Sequence, residues 1–109
     1  MNVLFVCNGN AARSQEAEAF FSNSAKERSA TSGGINVILG KPLPAYVVEQ
    51  MAELNFDMTD HYRKYVTEQM AEAADQIISF KPKSELPGYL ASSNTIEYWE
   101  VPDPQGQSE

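Results

Sequence analysis

The chain has 109 residues, enough for one hydrophobic core and too few for two, so it is expected to be a single domain over residues 1–109. Fifteen acidic against eight basic residues leave a net charge of −7, which argues against nucleic acid or an anionic membrane as a partner, since no basic stripe exists to neutralise phosphates. One cysteine excludes an internal disulfide framework.

Met1-Asn2-Val3 leads into a strand with no basic leader or long apolar segment, and a cytoplasmic protein is the expectation. Val3-Leu4-Phe5-Val6 is an apolar run of β-branched and aromatic residues that reads as a buried parallel strand ending at Cys7. Asn8-Gly9-Asn10 then supplies residues that tolerate left-handed backbone, so the chain can curl with its N–H groups turned inward as a nest for an anion. Ser14 reads as a helix cap, and Gln15 to Phe21 continues as a helix whose unpaired N-terminal N–H groups face the same nest. A thiol beside a helix N-terminus, a ring of N–H donors and the Arg13 guanidinium is expected to ionise and act as a nucleophile. Arg13 can hold two oxygens of a phosphoryl group with its planar fork of donors.

Along this first helix, Ala17, Phe20, Phe21 and Ser24 or Ala25 fall at helical spacing and predict a face laid on the sheet, with Glu16 and Glu18 solvated. Ala30 to Ile35 is short, small and β-compatible. After the punctuated loop Gly40 to Pro44, the recurrence of Tyr46, Val47, Met51 and Leu54 predicts a second helix up to Asn55. Phe56 to Tyr65 is too polar and irregular to extend it, and Tyr62, Arg63 and Tyr65 read as surface. Thr67 can cap a third helix through Ala74. Gln76 to Phe80 reads as a third strand stopped by Lys81-Pro82-Lys83, Leu86 to Leu90 as a short connection, and Thr95 to Val101 as a fourth strand with Trp99 in the core.

This order implies right-handed parallel crossovers and an α/β three-layer sandwich built on a four-stranded parallel sheet. Ligands of such sheets lie beyond the carboxyl ends of the strands. Cys7 stands at one such end and Pro102-Asp103-Pro104 at another, so the two can meet across nearly the whole chain.

Val-Leu-Phe-Val-Cys-Asn-Gly-Asn-Ala-Ala-Arg-Ser over residues 3–14 resembles the phosphate-binding loop of the low-molecular-weight protein tyrosine phosphatases, whose phosphatase I-like fold is shared with thioredoxin-coupled arsenate reductases. The resemblance implies a phosphatase that hydrolyses phosphomonoesters, protein phosphotyrosine among them, through a cysteinyl-phosphate, without metal or cofactor. It implies Cys7 as nucleophile, Arg13 as clamp and Asp103 as general acid. Asn8, Gly9, Asn10, Ala11, Ala12, Arg13 and Ser14 would bind inorganic phosphate, a similar oxyanion, a phosphorylated protein or a small phosphomonoester. Ser14 can turn its hydroxyl to the sulfur, and the family's loop-supporting histidine corresponds to His61, expected to bond Asn10 directly. Gln105-Gly106 follow Asp103-Pro104 where members active on phosphotyrosine often carry an aromatic residue, a departure that leans toward the reductase branch. Two alternatives therefore stay open: an arsenate reductase using an external thiol partner, and a non-catalytic oxyanion or phosphopeptide binder. The family usually continues into a final helix; a chain stopping at Glu109 is expected to lack it, exposing part of one sheet face to self-association.

Overall fold

The computed structural model describes residues 2–11, 13–24, 29–58 and 61–99. The strands are β1 (Asn2–Cys7), β2 (Ser29–Gly34), β3 (Gln76–Ser79) and β4 (Ile96–Tyr98), and the helices α1 (Arg13–Ser24), α2 (Ala45–Glu53), α3 (Glu68–Ala73) and α4 (Gly88–Ala91). A 3-10 turn at Lys83–Glu85 precedes α4. The four strands form one sheet in the order β2-β1-β3-β4, and all three pairings are parallel. The expected α/β architecture is therefore the observed one.

β1 is buried on both faces, as a strand between two neighbours must be, and its side chains divide by the two-residue period. Val3 and Phe5 pack with Ile78, Ala17 and Phe21 on the α1 side. Leu4 and Val6 pack with Ile77, Leu90, Met70 and Ala71 on the side of α3 and α4. Helices thus cover the sheet from both sides, giving three layers. A satellite cluster of Leu43, Val47, Met51 and Met58 seats α2 against Ala19 of α1.

Four expectations are corrected. Phe20 is 46% exposed and meets Phe56 edge-on at 4.8 Å, because a helix advancing 100° per residue cannot aim both Phe20 and Phe21 at the sheet. Trp99 is likewise 46% exposed: it follows the edge strand β4 and touches Phe80 from the side. Ser14 is no cap, since the helix already begins at Arg13. Arg63, read as surface, is 3% exposed, and its guanidinium donates to the Pro42 carbonyl. Thr67 does cap α3, accepting from the Met70 N–H at 3.1 Å.

At the end of β2, Gly33 lets the segment that ends at Val66 approach, and Gly34 makes room for the loop that follows β1. A Cβ on Gly33 would fall 2.6 Å from Val66 Cα, and one on Gly34 would fall 2.7 Å from the Asn8 carbonyl oxygen. Through that gap Gly34 exchanges backbone hydrogen bonds with Lys64 and Val66, at 2.9 and 3.0 Å. Residues 61–66 are thereby held beside the carboxyl end of β1. The expectation about a missing final helix falls on residues outside those described, as do Glu100, Val101 and Pro102-Asp103-Pro104. Among the described residues no helix is long and apolar enough to cross a membrane.

Candidate functional site

β1 delivers Cys7 to the carboxyl edge of the sheet, and the chain turns at once. Asn8 anchors the turn by accepting at its carbonyl from Ile35 N–H and Asn36 N–H, at 3.0 and 2.9 Å. Asn10 takes the left-handed conformation with φ 52°, which asparagine tolerates better than most residues. That bend turns its N–H back onto Cys7 Sγ at 3.1 Å. Cys7 is 1% exposed, yet the surroundings of its sulfur are polar: the Ser14 hydroxyl stands 2.8 Å away as well. Gly9 and Ala11 are buried within the loop.

Asn10 is the hub. Its side-chain amide donates to Ser14 Oγ at 2.9 Å and to Ser32 Oγ at 3.0 Å. Its Oδ1 accepts from Gln15 Nε2 at 3.0 Å and from the Lys64 backbone N–H at 2.9 Å. Every hydrogen-bonding position of that side chain is filled, so one buried residue ties α1, β2 and the 61–66 segment to the loop.

His61 arrives at this hub indirectly, which corrects the expected direct bond. Its Nδ1 lies 3.0 Å from Gln15 Oε1, and Gln15 Nε2 carries the connection on to Asn10. Because Nε2 of Gln15 is surrounded by acceptors, Oε1 must be the end facing the imidazole, and His61 Nδ1 must carry a hydrogen.

Gln15, Ser32, Glu18 and Lys64 were absent from the expected site. Ser32 Oγ donates to Glu18 Oε1 at 2.8 Å, and Glu18 Oε2 lies 3.5 Å from His61 Nδ1. Lys64 Nζ is 3.8 Å from the same carboxylate and 3.4 Å from Ser32 Oγ. Burial holds the Lys64 amine below its ordinary range, opposed by the negative charge of Glu18 and of Cys7. Glu18 is thus no solvated residue of the helix surface but the acceptor end of a buried chain of donors. Spacing carried a signal: Gln15 and Glu18 are three apart on α1 and share a face.

Arg13, partly buried, opens α1, and its guanidinium carbon lies 5.7 Å from the centre of the Phe80 ring, just beyond β3. Ala12 and Asp103 lie outside the described residues. The described geometry thus brings Cys7, Asn8, Gly9, Asn10, Ala11, Arg13 and Ser14 onto one loop and helix start, with His61 one residue removed. The described residues hold no group of three or more His, Cys, Asp or Glu side chains able to bind a metal ion.

A family model described as low molecular weight phosphotyrosine protein phosphatase matches residues 2–109. A probable low molecular weight protein-tyrosine-phosphatase, EpsP, of Ralstonia nicotianae is 34% identical over 70% of this chain. The chain spans about half the length of that relative, 52%. Among solved structures, the low molecular weight protein tyrosine phosphatase of T. tengcongensis superposes with a TM-score of 0.80 at 32% identity, covering 90% of this chain and 72% of that one. A YwlE arginine phosphatase, solved as a cysteine-to-serine mutant with a phosphorylated active-site serine, gives 0.70 at 26% identity over 78% of this chain and 59% of its own.

Proposed function

Because the chain belongs to the low-molecular-weight phosphotyrosine protein phosphatase family, we propose that it hydrolyses phosphomonoesters, with protein phosphotyrosine as its substrate, through a cysteinyl-phosphate on Cys7. The observation that carries this reading is the sulfur itself, buried at a strand end yet met by the Asn10 N–H and the Ser14 hydroxyl. Such donors favour negative charge on sulfur and suit a nucleophile better than a packed apolar thiol.

In the first step Cys7 Sγ attacks phosphorus in line, a sulfur–phosphorus bond forms, and the bond to the ester oxygen breaks. Asp103 delivers its proton to that oxygen, which leaves as an alcohol or phenol. Arg13 and the backbone N–H groups of the loop other than that of Asn10, which is directed at the sulfur, hold the non-bridging oxygens. In the second step water attacks phosphorus, Asp103 takes the water proton, and sulfur leaves with the electron pair while the Ser14 hydroxyl faces it. A phosphorylated serine in place of the active-site cysteine of the YwlE relative supports a covalent route. A free nucleophilic thiol works in a reducing compartment, which supports a cytoplasmic location for the reaction.

The test is hydrolysis of an aryl phosphate and of phosphotyrosyl and phosphoarginyl peptides by wild type, Cys7→Ser and Asp103→Asn, with arsenate reduction followed in parallel. Cys7→Ser should abolish turnover while retaining phosphate binding. Asp103→Asn should slow esters of poor leaving groups far more than good ones. Undiminished hydrolysis by Cys7→Ser excludes the covalent route, and equal losses across leaving groups exclude Asp103 as the acid.

A further inference from the structure

We infer that Gln15 is a positioning residue for the oxyanion cradle, acting by fixing the peptide plane between Asn10 and Ala11; the inference deepens the phosphatase reading and rests on it for the cradle's role. Gln15 is fully buried at the start of α1. Its Nε2 has two hydrogens and three acceptors: the Tyr62 carbonyl at 2.9 Å, Asn10 Oδ1 at 3.0 Å and the Asn10 carbonyl at 3.1 Å. One hydrogen serves Tyr62, and the other is shared between the two oxygens of Asn10. The remaining end, Oε1, is held by His61. A buried amide so fully engaged has one orientation, because a flip would set its oxygen against three other oxygens.

The consequence follows from peptide geometry. The unit joining Asn10 to Ala11 is planar and trans, so its carbonyl and its N–H point in opposite directions. Gln15 grips the carbonyl from the protein interior. Ala11 N–H is thereby aimed the other way, into the concave side of the loop where the phosphoryl oxygens sit. Asn10 holds its left-handed conformation with help from the same amide, which grips its side chain and its backbone together. His61, Gln15 and Asn10 then form a relay by which a histidine outside the loop fixes the direction of a donor within it. The general rule that a helix N-terminus attracts anions does not supply this: it gives donors, whereas Gln15 gives one of them its direction.

The experiment titrates inorganic phosphate into the 15N-labelled protein and follows the loop amides by NMR, for wild type, Gln15→Met and Gln15→Glu. In wild type the Ala11 amide should shift downfield on saturation. In Gln15→Met, which keeps the length and loses the amide, phosphate affinity should fall roughly tenfold and the Ala11 response should shrink selectively, while the Asn10 N–H, aimed at sulfur, changes less. Gln15→Glu should do the same, since a carboxylate cannot donate to three carbonyl-type oxygens. Wild-type affinity and a wild-type Ala11 shift in either folded variant overturn the inference. Should neither variant fold, wild type still decides: an Ala11 amide indifferent to saturating phosphate, or Gln15 side-chain amide protons that exchange freely with solvent, overturns it, and a downfield Ala11 shift together with exchange-protected Gln15 amide protons upholds it. Failure of the phosphatase reading looks different, namely wild type that binds phosphate but hydrolyses no ester.

Discussion

Ser14 Oγ stands 2.8 Å from Cys7 Sγ, and the hydrogen bond that Ser14 Oγ accepts from Asn10 decides which way that contact runs. Asn10 Nδ2 can only donate, so the serine oxygen accepts there and its own hydrogen is left to face the sulfur. A hydroxyl aimed in advance stabilises the charge that returns to sulfur when the cysteinyl-phosphate breaks down, at no cost of reorganisation. Ser14→Ala is expected to lower kcat by about a hundredfold, with the covalent intermediate accumulating and phosphate affinity little changed. Rapid-quench trapping of the phosphorylated protein measures it; a slowed first step with no accumulation would contradict the assignment.

Strain and hydrogen bonding at Asn10 are separable by two substitutions. Both Asn10→Gly and Asn10→Ala delete the four side-chain bonds, but only alanine must bear the left-handed backbone at φ 52°. Alanine is expected to be less stable than glycine by about 1 kcal/mol in urea unfolding. Equal stability would mean that the loop relaxes out of this conformation once the side chain is gone.

The sheet and the loop were legible because their signals are local. Val3 to Val6 is a run only a buried strand accommodates, and Asn8 to Asn10 announces unusual backbone next to a thiol and an arginine. The support behind the loop was not legible, because the three-residue spacing of Gln15 and Glu18 puts them on one helix face without saying whether that face is buried or solvated. What makes them interior is the 61–66 segment laid across them, and that approach depends on Gly33, 33 residues distant from Val66. His61 contacts Gln15 rather than Asn10, a detail the resemblance could not supply, since it names a histidine and an asparagine and not the glutamine between them. Phe20 and Trp99 show the opposite error: helical spacing for the one and an apolar β-forming run for the other assigned to the core two rings that the helix flank and the sheet edge leave half exposed.

The gap opened by Gly33 gives a stability prediction. A methyl group there would meet the Val66 backbone at 2.6 Å, and neither β2 within the sheet nor the 61–66 segment can withdraw without losing hydrogen bonds. Gly33→Ala is expected to destabilise the protein by about 1–3 kcal/mol, as overpacking against backbone does. Because the displaced segment carries Lys64 and His61, phosphate affinity should fall as well. Denaturant unfolding and phosphate titration of the same variant check both halves, and an unchanged midpoint would show the segment to be loosely seated.

Glu16, in the first turn of α1, supplies the pH prediction. Partial burial raises its carboxyl above the ordinary value of 4.5, so the folded state holds the proton more firmly than the unfolded chain does. Between 4.5 and the raised folded value the native protein therefore binds more protons, and stability falls as pH rises through that window. At higher pH the full cost of keeping a half-buried carboxylate ionised remains. Removing the charge with Glu16→Gln should stabilise the protein at pH 7 to 8, by no more than about 0.5 kcal/mol because solvent screens a group this exposed. The advantage should vanish below about pH 4.5, where the wild-type carboxyl is protonated in both states. Thermal unfolding of the two proteins across pH 4 to 8 measures it. An advantage that persists at the acid end would trace to packing of the glutamine, and one that grows there would reverse the sign argued for burial.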